Sequence, residues 1–141
     1  MFNPSREQVR QFFCESWRKY RERSILEGAE ATAADLIAAH PEYHALLEDP
    51  QTAVEREFTP EEGVLNPFLH LSLHLAVAEQ ISIDQPRGIA AAYFSLRRTR
   101  EVHDAEHAIM ECLGEALWHA QRDRAPIDGA AYLDCVRKKA S

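Results

Sequence analysis

Apolar residues recur at three- and four-residue steps along most of this chain, and capping residues separate one such stretch from the next. Ser5-Arg6-Glu7-Gln8, after Asn3-Pro4, forms a capping box. Behind it Val9, Phe12, Phe13, Trp17 and Tyr20 predict an amphipathic helix over 5–27 that ends near Gly28. Thr32 to Asp35 opens a short second helix through Leu36 and Ile37. Pro41 disfavours helical geometry at His40 and breaks it, and a new turn runs from Pro41 through Leu46 and Leu47 to Pro50. Residues 49–66 show no clean period, although Thr59-Pro60-Glu61-Glu62 reads as a capping box for a single turn stopping at Gly63. A connection of that length often covers a functional site.

Asn66-Pro67 is a strong helix start, and the helix it opens runs to Ile83. A second segment covers Ile89 to Leu96, with a break near 98–102. The longest periodic run follows over 101–123, and Asp128 caps a final short helix through Tyr132, Leu133 and Val136. Nothing alternates long enough to predict a strand. The expected architecture is all-α, an antiparallel bundle of four to six helices in one domain spanning 1–141.

Composition changes this picture little. Hydrophobic residues at 45% and charged residues at 28% are those of a water-soluble globular chain. A net charge of −7 argues against a nucleic-acid surface, which needs a dense positive face. No apolar run approaches the roughly 20 residues of a membrane span. Cys14, Cys112 and Cys135 stand far apart without a CxxC, so free or buried thiols in a reducing cytoplasm are expected.

The chemistry lies in the histidines. Six of seven pair four residues apart: His40/His44, His70/His74 and His103/His107. Random placement would give roughly 0.3 such pairs. Four residues is about one helical turn, so a pair can aim two imidazoles at one point. With His70 at 0° and about 100° per residue, His74, Val77 and Ile81 fall within about 60° of it, while Ser72 and Glu79 lie opposite. Both histidines are therefore placed on the buried face, where unpartnered imidazoles would cost a few kcal/mol.

On the 101–123 helix the apolar arc passes through Ala105, Ile109, Leu113 and Leu117. Glu106 falls inside it, an odd place for a carboxylate, and His103 at its edge. His107 turns toward the polar side and Glu111 further still. The candidate ligand set is thus His70, His74, His103 and Glu106, joined by His107 or a loop carboxylate among Glu55, Glu57, Glu61 and Glu62. That donor mix suits zinc, iron, nickel or manganese. The alternative is a buried hydrogen-bonded network in a non-enzymatic interaction module. His40 and His44, separated by Pro41, read as capping and surface residues, and His119 as an exposed one.

Two stretches, Glu57 through His74 and His103 through Trp118, together with His40-Pro-Glu-Tyr-His44, resemble a small bacterial family known only as a domain of unknown function. The resemblance spans nearly the whole chain and implies no reaction. Hemerythrin-like and DinB-like metal-binding bundles offer a more distant analogy through the paired histidines. However, the first helix here has no histidine, and the Glu-x-x-His pairs of ferritin-like di-iron bundles are missing. His103-Asp-Ala-Glu-His107 matches the H-x-x-E-H pattern of inverted zinc peptidases, but those enzymes are far larger. No Gly-rich phosphate loop or G-x-S-x-G elbow occurs, and Cys112 points away from His103 and His107 on its helix. Reaction, small ligand, protein partner and homo-oligomeric state stay open.

Overall fold

The computed structural model describes residues 5–58 and 66–141, and the Asn3-Pro4 and Thr59–Gly63 readings lie outside them. Among the described residues the fold is all-α. Its helices are α1 (Arg6–Arg21), α2 (Ala29–Ala38), α3 (His44–Leu47), α4 (Pro50–Glu55), α5 (Pro67–Ile83), α6 (Ile89–Arg97), α7 (Val102–Asp123) and α8 (Gly129–Ala140). A 3-10 turn, Pro41–Tyr43, precedes α3. The chain divides into two compact units, Met1–Leu75 and Ala76–Ser141, with α5 running from one into the other.

In the first unit α1 packs against α2, α3 and α4. Phe13, Trp17, Ile37, Leu47, Phe68 and Leu71 form its core. The capping box is made as read: Gln8 N–H donates to Ser5 Oγ at 3.1 Å and Ser5 N–H to Gln8 Oε1 at 2.8 Å. The helix stops at Arg21, six residues short of the predicted end. Arg23 turns left-handed at φ 59°, and Ser24 N–H reaches back to Lys19 O at 2.8 Å. Past Tyr20 there is little to bury, since Ile25 is 83% exposed, so packing gives the helix no reason to continue. Gly28, at φ 53°, instead opens α2.

α4 corrects the reading of 49–66 as aperiodic. Asp49 caps it by accepting from Thr52 N–H and Thr52 Oγ1–H, and Pro50 occupies its first turn. Six residues are too few to display a period, so only the cap could have revealed it.

In the second unit α6, α7 and α8 pack on one another. Ile89, Leu96, Ile109, Leu113 and Val136 are buried in it. Asp84 Oδ1 ties the α5–α6 connection by accepting from Gly88 N–H at 3.0 Å and Ala90 N–H at 3.1 Å. Asp128 caps α8 through Ala131 N–H at 3.0 Å, as its position predicted.

The cysteines do not behave as expected. Cys112 of α7 and Cys135 of α8 form a disulfide, with Cα atoms 5.8 Å apart, and only Cys14 keeps a free thiol. Long sequence spacing was a poor guide because adjacent helices bring residues 23 positions apart within bridging range. The cysteines therefore no longer argue for a reducing compartment. Among the described residues no helix is long and apolar enough to cross a membrane.

The disulfide restricts the unfolded chain, so Cys135→Ser is expected to lower stability by about 3 kcal/mol in denaturant melts. A non-reduced digest should show the Cys112 and Cys135 peptides linked. Separate peptides would remove the crosslink from the fold.

Candidate metal centre in the histidine pairs

The first unit gathers three imidazoles. Pro41 keeps His40 out of helical geometry, at φ −123° and ψ 70°, and the chain turns away from α2 there. The His40 ring lies back against the helix it has just left, and its Nδ1–H donates to Leu36 O at 2.7 Å. A carbonyl can only accept, so this bond fixes the tautomer and leaves Nε2 with a lone pair. That Nε2 lies 3.2 Å from Nε2 of His70.

His70 and His74 come from one face of α5. Asn66 starts that helix, its Oδ1 accepting from Phe68 N–H at 2.9 Å and Leu69 N–H at 3.3 Å. The three rings stand edge to face, with centroids 5.0 Å apart for His40–His70, 5.0 Å for His40–His74 and 4.8 Å for His70–His74. His40 is 2% exposed and His74 fully buried. The three rings each offer a ligand nitrogen within 4.8 Å of the others. Tyr43 lies parallel to His40, 5.2 Å away and 3° out of plane, and edge-on to His70 at 6.2 Å.

Reading His40 as a surface residue is therefore corrected. Capping was the right half of that reading, since His40 and His44 bond the last carbonyls of α2. His44 Nε2–H donates to Ile37 O at 2.8 Å, and its ring stacks on Trp17 at 4.3 Å. The error was to set capping against ligation. An imidazole has two nitrogens, and His40 spends only one on the helix end. The legible signal was a histidine directly before proline at the end of an apolar helix.

In the second unit His103 and His107 lie one turn apart on α7 with ring centroids 4.0 Å apart. Both are partly buried, as is Glu106, so His107 is not on the solvated side its helical angle suggested. Glu111 is exposed and paired with Lys139 of α8 at 2.7 Å, an ion pair that holds its carboxyl below the usual range. His119 is exposed, as expected. Nucleophilic cysteine chemistry finds no support. Cys112 is in a disulfide, and burial, with Asp49 adding to it, pushes the Cys14 thiol up to about 11.

Residues 5–138 match the family described as Domain of unknown function (DUF1841), and the chain belongs to it. No curated protein and no solved structure matches the chain.

The shifted thiol gives a test of the first unit. Cys14 stays protonated in the folded state while an unfolded thiol ionises near pH 8.5, so its contribution to stability is present below about pH 8.5. That contribution should be lost as pH rises toward about 11. At pH 8 the native protein should resist iodoacetamide at Cys14 and react only on unfolding, followed by mass spectrometry. Rapid native alkylation would contradict the burial.

Proposed function

We propose that the chain is a metal-binding helical protein in which His40, His70 and His74 hold one divalent transition-metal ion. One observation carries the reading: the Nε2 atoms of His40 and His70 lie 3.2 Å apart with the His40 tautomer fixed by Leu36 O. Two nitrogens each about 2.0–2.1 Å from a tetrahedral ion are about 3.3 Å from one another. A backbone carbonyl accepting from the far ring nitrogen is a usual way for a metal-binding histidine to be oriented.

Three imidazoles leave a tetrahedral ion one position open for water or a small ligand. Imidazole donors favour zinc, nickel or iron. Manganese, which prefers carboxylate and water oxygens, is disfavoured by an all-imidazole set. A non-enzymatic network is the second reading, because 3.2 Å is also the length of an N–H···N hydrogen bond from His70 to His40.

Metal analysis after reconstitution should find about one equivalent, and less than about 0.2 of any transition metal would reject the proposal. Ion at about a hundred times its Kd should stabilise the protein by about 2.7 kcal/mol, reversibly with chelator. His40→Ala and His74→Ala should each remove that gain. A melting temperature indifferent to both metal and chelator belongs to the network.

A further inference from the structure

A second feature of the first unit lies away from the histidines. Arg10 of α1 is 3% exposed, although arginine is rarely so buried without an anion beside it. Its guanidinium lies 4.9 Å from the Phe68 ring centroid and 5.5 Å from that of Phe58. Its hydrogen bonds run from Nη1 to the carbonyls of Ala53 (3.0 Å), Val54 (3.3 Å) and Arg56 (2.6 Å), at the end of α4. A guanidinium carries five N–H donors, and these bonds draw on one nitrogen.

A cavity of about 300 Å³ opens beside it, lined by Arg6, Arg10, Glu57, Phe58, Phe68 and Ser72 among others. That volume is at the lower end of the range for small-ligand pockets. Among the described residues its charged lining is two guanidiniums against one carboxylate. Arg6 meets Glu57 at 3.2 Å and Arg56 O at 3.0 Å, whereas Arg10 has carbonyls and ring faces. Burial, and then the charge of Arg6, pulls the Arg10 pKa down, and Glu57 offsets this only in part.

Phe68 and Ser72 lie about 160° and 200° around α5 from His70. The cavity and the three imidazoles therefore occupy opposite faces of that helix.

We propose that this cavity is a binding site for a small organic carboxylate with an apolar body. Its carboxylate takes the free edge of the Arg10 guanidinium with help from Arg6, in the planar two-bond geometry that arginine favours. The apolar body lies against Phe58 and Phe68. Phosphate fits less well, because it would leave the Phe58 and Phe68 rings of this wall uncovered.

The test titrates sodium benzoate into 15N-labelled protein at constant ionic strength, with benzamide as the uncharged isostere. Saturable shifts are expected at the Arg10 Nε–H and at the amides of Phe68 and Ser72, with Kd below about 10 mM and benzamide at least about tenfold weaker. Arg10→Gln removes the α4 contacts and can unfold the unit, so the decisive variant is R6Q, whose side chain is half exposed. R6Q should fold normally and weaken benzoate about threefold or more. Absence of saturation, equal binding of benzamide, an unchanged affinity in folded R6Q, or tighter binding of inorganic phosphate would each overturn the proposal.

Discussion

The hydrogen bond from His40 Nδ1–H to Leu36 O organises the first unit's chemistry. It adds a second donor to a carbonyl in the last turn of α2 that also accepts from Ala39 N–H at 3.2 Å, and it fixes which nitrogen of the neutral imidazole carries the proton. Without it the ring could rotate or change tautomer, and the Nε2 lone pair would have no defined direction. Pro41 supplies the backbone condition, because it drives the residue before it out of helical geometry and the main chain leaves α2 at His40. One local rule about the residue before proline thus sets both a cap and a possible ligand.

The neighbours support the same arrangement. Ile37, the residue after Leu36, has its carbonyl taken by His44, whose ring rests on Trp17 in the core. Trp17 in turn donates from Nε1 to Glu48 at 3.3 Å, just beyond α3. The end of α2, the short α3 and the buried face of α1 are therefore tied together by aromatic and polar contacts around His40. The ring of His40 is thus anchored within a set of mutually supporting contacts, not by its own hydrogen bond alone.

α5 serves two environments at once. One face presents His70 and His74 to His40, and the opposite face presents Phe68 and Ser72 to the Arg10 cavity. A helix covered on both sides shows no single apolar stripe, and its sequence Leu-His-Leu-Ser-Leu-His reads as apolar nearly all round. Buried polarity is balanced differently on the two faces. The histidines lie against one another, while Arg10 is held by carbonyls and aromatic rings.

Much of this was legible in the residues. The all-α class, the caps at Ser5, Asn66 and Asp128, the limits of α5 and the clustering of His70 with a buried face follow from local rules: side-chain periodicity, cap hydrogen bonds and proline sterics act within about one helical turn. What those rules cannot reach, tertiary structure decided. α1 ends where its core contacts end, Cys112 meets Cys135 because α7 and α8 are neighbours, and His40 joins His70 across 30 positions because α5 packs near the end of α2. Each depends on which helix faces are brought together by burial, a non-directional force proportional to area, and that choice is a property of the whole chain rather than of any window of it.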